Sequence, residues 1–168
     1  MSVAFLFPGQ GSQVKGMGAD SFNRFPHLVQ QANTELGYAL DEICLKDEEN
    51  QLGQTQFTQP ALYLASYLDA QSKIEDGTTP VLAAGHSVGE FAALATAGAF
   101  SFIDGLKMVS KRGEIMAKLG EEEWLRSLGW MRKPFDPHLR LFRQTKWMWQ
   151  TIIHCWGAAD FSMTLIID

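Results

Sequence analysis

Short apolar runs alternate with longer helical patterns along the first two thirds of the chain. Residues 3–7 and 80–84 are short, apolar and followed by glycine-containing turns, which is typical of strands buried on both faces. The spacing of apolar residues predicts helices over residues 22–36, 60–74, 91–99 and 101–118. Strands separated by helices predict an α/β fold with a parallel sheet that is covered on both faces.

Turn and capping residues set the expected ends of these helices. Gly37 stands where a C-terminal cap belongs, and Pro60 stands at the expected start of its helix, where a missing N–H has no cost. Ser101 and Asp104 have the spacing of a capping pair. The apolar positions expected on the buried sides of the first and last helices are Phe25, Leu28, Val29, Ala32, Leu36, Leu106, Val109, Ile115 and Met116.

The second predicted strand ends in the residues Gly85-His86-Ser87-Val88-Gly89, which fit the pattern G-x-S-x-G. In such a turn a serine is held at a sparsely allowed backbone angle with its hydroxyl exposed, and the glycines let strand and helix approach closely. The pattern is short and also occurs by chance, but here a predicted strand precedes it and a predicted helix follows it. We therefore predict Ser87 as a nucleophile, with the backbone N–H of Val88 as the first donor to an oxyanion.

The composition of the chain changes near Gly120. All five tryptophans follow this residue, whereas the tail after it has two of the 15 glycines and no Val, Asn or Tyr. Large aromatic residues are scattered among cations in the tail without a stable apolar face, so no secondary structure is predicted there. We divide the chain into a core, residues 1–118, and an atypical tail, residues 119–168. The preferred interpretation of the tail is an altered reading frame or another non-native, poorly ordered terminus, and a divergent subdomain is the alternative.

Charge and composition exclude several classes of function. The chain has 168 residues, 46% of them hydrophobic, and a net charge of -5 without a Lys/Arg run, which argues against a nucleic-acid or anionic-membrane surface. The N-terminal apolar run lacks a basic segment and stops at Pro8, so a cytoplasmic protein is expected. Cys44 and Cys155 lack metal-ligand spacing and are interpreted as ordinary thiols, with no metal site predicted.

Four short motifs follow one another along the first two thirds of the chain. They are Phe7-Pro8-Gly9-Gln10-Gly11-Ser12-Gln13, Thr58-Gln59-Pro60-Ala61-Leu62, Gly85-His86-Ser87-Val88-Gly89-Glu90 and Arg112-Gly113. Their order and spacing resemble those of malonyl-CoA:acyl carrier protein transacylases over about residues 2–118. The resemblance implies an incomplete parallel-sheet acyltransferase core, similar to α/β-hydrolases, with a nucleophile elbow.

The same resemblance implies a role for each matched residue. Ser87 would take the malonyl group as an ester, and the N–H of Gln10 would join that of Val88 as the oxyanion hole. Arg112 would bind the malonyl carboxylate, which a planar guanidinium matches with two hydrogen bonds. The implied substrate is malonyl-CoA, the implied partner is an acyl carrier protein that carries its own phosphopantetheine, no bound cofactor is implied, and a monomer is expected.

Three of these residues also have purely structural interpretations. Arg112 stands on a helix whose other charges belong in solvent, and only the motif favours a binding role. His86 lies beside the serine in sequence and points elsewhere, so it is expected to support the loop rather than to act as a base. Gln59 is expected to line the substrate pocket, although a Gln before a helix-starting proline is often a turn residue.

The sequence lacks a recognisable general base. In this type of fold the base is a histidine far downstream of the serine. His138 and His154 follow Ser87, but their surroundings do not resemble the family's histidine motif, so neither is assigned. The chain is also about half the usual family length, which predicts an open strand edge, an uncovered apolar face and a tendency to aggregate.

Several functions fit these features. The leading interpretation is transfer of malonyl from coenzyme A to acyl carrier protein in fatty-acid synthesis, and a polyketide acyltransferase would use the same residues. The non-catalytic alternative is a truncated, inactive fragment or a protein that only binds acyl carrier protein. A hydrolase is less favoured because Gln10 and Arg112 would then have no evident purpose.

Overall fold

The computed structural model describes residues 2–127 and 163–167, with side chains up to Lys118. Strands and helices follow one another in the order β1 (Ser2–Phe7), α1 (Ala19–Arg24), α2 (Pro26–Leu36), α3 (Leu40–Leu45), α4 (Thr55–Glu75), β2 (Pro80–Gly85), α5 (Gly89–Thr96), α6 (Phe102–Ser127) and β3 (Met163–Ile167).

β1 is the middle strand of the sheet that the described residues form, in the order β2-β1-β3. β1 and β2 run parallel, with Phe7 opposite Gly85, which confirms the parallel pair that the two apolar runs predicted. β3 pairs with the other edge of β1 in the antiparallel direction. It comes from the tail, for which no secondary structure was predicted, and the rest of the tail from residue 128 to 162 lies outside the described residues.

α4 is the central helix of the core. Its residues 58–66 are all buried, because α5 and α6 both pack against it. The hydroxyl of Tyr63 donates to the carbonyl of Phe102 at 2.9 Å, and the two rings stack with centroids 5.8 Å apart. A Cβ at Gly105 would lie 2.2 Å from the Tyr63 hydroxyl oxygen, so the glycine allows α6 to approach α4 closely.

Two prolines change the predicted helix boundaries. The single helix predicted over residues 22–36 is two helices, because the residue before Pro26 is pushed out of the helical region, and Phe25 has φ −121° and ψ 54°. α4 begins at Thr55, so Pro60 lies inside the helix and the prediction that it starts the helix was wrong. Burial of Pro60 in the core outweighs the one backbone bond that its missing N–H removes.

The remaining helices confirm some expectations and correct others. Gly37 ends α2 with φ 77°, and Ser101 and Asp104 form the predicted capping pair, with the Asp104 N–H donating to Ser101 Oγ at 3.1 Å. α6 continues beyond Lys118 to Ser127. Ile115 is 39% exposed, contrary to the prediction, because the buried side of α6 follows residues 102, 106, 109, 113 and 116. α3 was not predicted.

β2 presents apolar side chains to solvent. Val81 is 69% exposed and Leu82 is 52% exposed, and the edge of β2 away from β1 has no neighbouring strand among the described residues. On α5, Leu94 is 48% exposed. These exposed apolar side chains agree with the predicted uncovered apolar surface in the described part of the chain.

Candidate active site

Ser87 stands on a sharp turn between β2 and α5. Its φ of 55° is in the left-handed region, which costs a non-glycine residue about 1–2 kcal/mol. A Cβ at Gly85 would lie 2.1 Å from the carbonyl carbon of Gly89, and one at Gly89 would lie 2.3 Å from the Phe7 carbonyl oxygen. Both glycines are therefore required by close backbone approach, and the strained turn predicted from G-x-S-x-G is present.

The Arg112 guanidinium lies directly against the hydroxyl of this serine. Nη2 of Arg112 donates to Ser87 Oγ at 2.9 Å, although the two residues are 25 positions apart in the chain. Arg112 is half-buried rather than fully solvated, in contrast to the exposed Lys107 and Lys111 on the same helix. Burial lowers the pKa of Arg112, and the negative charge of Glu90 offsets part of this effect. A guanidinium does not lose its proton in proteins, so Arg112 is a cation beside the Ser87 hydroxyl.

Close packing of α6 on α4 places Arg112 in this position. A Cβ at the neighbouring residue Gly113 would lie 3.0 Å from the Thr55 carbonyl oxygen and 3.2 Å from Cβ of Gln59. The glycine lets the first turns of α4 approach α6, and Arg112 extends from that crossing toward the β2–α5 turn. Gly113 thus allows the close helix packing that positions Arg112.

Gln59 is brought into the same group of side chains. It is fully buried inside α4, so the interpretation as a turn residue before Pro60 was wrong. Its Oε1 accepts a short hydrogen bond from Nη1 of Arg112, and its Nε2 donates to Oε1 of Gln10 at 2.7 Å. Gln59 therefore holds the arginine that contacts Ser87.

The loops after β1 and β2 pack against each other, which brings Gln10 and Val88 to the same end of the sheet. The His86 N–H donates to the Phe7 carbonyl at 3.0 Å. Within the described residues, the backbone N–H groups of Gln10 and Val88 donate to no backbone or side-chain acceptor. The arrangement is compatible with two amides that receive negative charge next to Ser87.

His86 lies against the loop after β1. A Cβ at Gly9 would lie 2.3 Å from its Nδ1, so the imidazole packs onto the Gly9 backbone. This position agrees with the expected supporting role. His138 and His154, which were not assigned as bases, lie outside the described residues.

The sequence analysis missed one site residue, Thr55, and the side-chain role of another, Gln10. Gln10 contributes its side chain as well as its amide, and its Nε2 donates to Thr55 Oγ1 at 3.1 Å. Thr55 was not predicted at all, because neither a motif nor a periodicity marks it. Its position at the first turn of α4, beside Gly113 of α6, places it within reach of the site.

The part of the chain that the structure describes has no cluster of three His, Cys, Asp or Glu side chains arranged to hold a metal ion. Cys44 is free and buried, and burial raises the pKa of its thiol. None of the described helices is long and apolar enough to cross a membrane.

Comparison with known proteins gives a consistent result. The family model described as "Acyl transferase domain" matches residues 4–130. The polyketide biosynthesis malonyl CoA-acyl carrier protein transacylase BaeC of Bacillus velezensis is 50% identical over 116 residues, which are 68% of this chain and 40% of that protein. The alignment therefore leaves more than half of the relative unmatched.

Solved structures show the same partial match. The malonyl CoA-acyl carrier protein transacylase of Burkholderia pseudomallei superposes with a TM-score of 0.68 at 52% identity, over 69% of this chain and 40% of that one. PlMCAT, a malonyl-transacylase solved in complex with its type II PKS acyl-carrier protein AntF, superposes with a TM-score of 0.63 at 40% identity, over 69% and 39% of the two chains. The chain thus spans about two fifths of the length of these relatives.

Proposed function

The chain belongs to the acyl transferase domain family, and from this we propose that it transfers a malonyl group from coenzyme A to an acyl carrier protein through an ester on Ser87. One observation carries the proposal. A guanidinium lies 2.9 Å from the hydroxyl of a serine on a strained strand-to-helix turn. A nucleophile with a cation beside it suits an acyl group that ends in a free carboxylate.

In the first step, Ser87 Oγ bonds to the carbonyl carbon of the thioester and loses its proton to a base. The carbonyl oxygen becomes an oxyanion, which in this scheme accepts hydrogen bonds from the backbone N–H groups of Gln10 and Val88. The carbon–sulfur bond then breaks, and coenzyme A leaves as a thiol after taking up a proton. In the second step, the phosphopantetheine thiol of the carrier protein attacks the ester and restores the serine hydroxyl.

Arg112 selects the substrate in this scheme. Its two terminal nitrogens donate to Gln59 and Ser87 in the free protein, and a malonyl carboxylate offers stronger, charged acceptors in place of the serine oxygen. Acetyl has no such group and cannot accept these charged hydrogen bonds from Arg112. The expected preference is therefore for malonyl over acetyl.

Ser87→Ala is the matched test of this proposal, and Ser110→Ala, a half-buried serine on α6, is its control. The full chain is mixed with malonyl-CoA and its intact mass is followed with time. A malonyl adduct on the wild type and on the Ser110 variant, but not on the Ser87 variant, is the expected result. An adduct that persists after Ser87→Ala would contradict the proposal.

A catalytically inactive fragment is the second candidate, and the coverage of about two fifths of its relatives favours it. It predicts that the elbow is formed but that no adduct appears on the wild type.

The pathway is a separate question, because BaeC is named for polyketide biosynthesis. Transfer of the malonyl group to a fatty-acid carrier protein and to a polyketide carrier protein, measured side by side, distinguishes the two.

A further inference from the structure

A chain of four side-chain hydrogen bonds joins the start of α4 to the nucleophile. Gln10 donates to Thr55 at 3.1 Å, Gln59 donates to Gln10 at 2.7 Å, and Arg112 donates both to Gln59 and to Ser87. We propose that Thr55 is a positioning residue, which fixes the Arg112 guanidinium through the two glutamine amides. The inference rests on the proposed function insofar as it assigns Arg112 to the acyl carboxylate.

We call these four hydrogen bonds, from Thr55 to Ser87, the relay. Arg112 fixes which group donates and which accepts in each of them. A guanidinium has donors only, so Gln59 must turn its Oε1 toward Arg112. The Nε2 of Gln59 then faces Gln10, which must offer its own oxygen. That choice leaves the Nε2 of Gln10 for Thr55, whose hydroxyl oxygen accepts it. The Thr55 hydroxyl is therefore the acceptor that completes the relay.

Because Gln59 is buried, loss of the hydrogen bond at Thr55 is expected to affect the position of Arg112. Gln59 is fully buried, and a Cβ added at Gly113 would lie 3.2 Å from its Cβ, so α6 packs closely beside this side chain. If Thr55 Oγ1 is removed, the Nε2 of Gln10 loses its acceptor and its amide is free to turn. A turned Gln10 amide places a donor against the donor of Gln59, which weakens the hold of Gln59 on Arg112.

A local role for Thr55 is the alternative, since threonine is common at helix starts. The Thr55 oxygen, however, accepts from a side chain 45 residues away. The hydroxyl on this first turn of α4 is thus engaged with the loop after β1. This loop carries the amide proposed for the oxyanion hole, so the same relay connects that loop to the carboxylate-binding cation.

The experiment compares Thr55→Val with Thr55→Ser in the full chain. Valine keeps the shape of threonine and removes the acceptor, whereas serine restores it. Thr34→Val is the matched control, because Thr34 is exposed on α2 and its hydroxyl bonds only locally, to the Gln30 carbonyl at 2.8 Å. Phenylglyoxal, which modifies accessible guanidinium groups, reports on Arg112 by peptide mass mapping. Arg24 serves as an internal reference in each sample.

Thr55→Val is expected to speed the modification of Arg112 several-fold and to slow malonyl-adduct formation about ten-fold, with acetylation by acetyl-CoA unchanged. Thr55→Ser and Thr34→Val should behave as the wild type. An unchanged rate at Arg112 in Thr55→Val would overturn the proposal, as would an equal acceleration at Arg24, which would indicate general loosening. If the wild type forms no malonyl adduct, the proposed function fails, but modification of Arg112 still decides the relay.

Discussion

Replacement of Arg112 by Gln should abolish the proposed preference for malonyl while leaving Ser87, the proposed nucleophile, in place. Glutamine retains hydrogen-bonding capacity and removes the charge. Breaking a fully buried charge pair costs about 3–5 kcal/mol. Arg112 is half-buried, so solvent screens part of this interaction, and the lower end of that range of free energies applies. About 3 kcal/mol corresponds to a reduction of roughly 150-fold in the rate of malonylation.

The assay for this variant measures adduct formation on the full chain with malonyl-CoA and, separately, with acetyl-CoA. The malonyl rate should fall by about two orders of magnitude, and the acetyl rate should stay within a few-fold of the wild type. Lys111→Gln, which neutralises an exposed cation one position away, is the matched control. An equal loss with both substrates would mean that Arg112 supports the fold or the serine rather than the carboxylate, and would refute the reasoning.

Three further predictions concern stability and solubility. Ser87→Gly should be more stable than Ser87→Ala by about 1 kcal/mol in urea unfolding, because both lack the hydroxyl and only alanine keeps the strain at φ 55°; equal midpoints would show that the turn is not strained. Val81→Lys should reduce binding of a hydrophobic dye without lowering the melting temperature, since this side chain is 69% exposed on an open edge strand; unchanged dye binding would place the apolar surface elsewhere. Burial raises the pKa of the Cys44 thiol above its ordinary value of 9.0 and the pKa of Tyr38 from 10.0 to about 12. Both groups bind protons more tightly in the folded state, so their contribution to stability is complete below pH 9 and is lost as the pH rises above it. Unfolding measured from pH 8 to 11 should show this decline, and Cys44→Ala should make it shallower.

The turn that carries Ser87, the proposed nucleophile, could be predicted because the residues that determine it are close together in the sequence. The apolar run before Gly85, the serine between two glycines and the helix that follows occupy one short stretch, and the structure shows the positive φ that this pattern requires. Gly85 and Gly89 are needed for close backbone contacts that the pattern itself implies. The local sequence was therefore sufficient to predict the strand-to-helix turn at Ser87.

Contacts between distant segments were harder to predict. The hydrogen bond from Arg112 to Ser87 depends on how α6 crosses α4, and helical periodicity carries no information on that crossing. Only the family resemblance pointed to Arg112. Thr55 was missed for the same reason, since its importance arises from a neighbour 45 residues away.

Tertiary burial also overrode two local signals. Pro60 is a strong sign of a helix start, yet α4 begins at Thr55 because the residues around the proline are buried in the core. Gln59 was interpreted in part as a turn residue on the strength of that proline, whereas it is an interior helical residue that binds Arg112. Pro26, in contrast, does start a helix.

Competition between two acyl donors tests the central claim most directly. The full chain is incubated with equal concentrations of malonyl-CoA and acetyl-CoA, digested, and the peptide that contains Ser87 is analysed by mass spectrometry. Our account predicts that this peptide carries an acyl ester at Ser87 and that the ester is almost entirely malonyl. An ester on another residue, or malonyl and acetyl in similar amounts at Ser87, would contradict it.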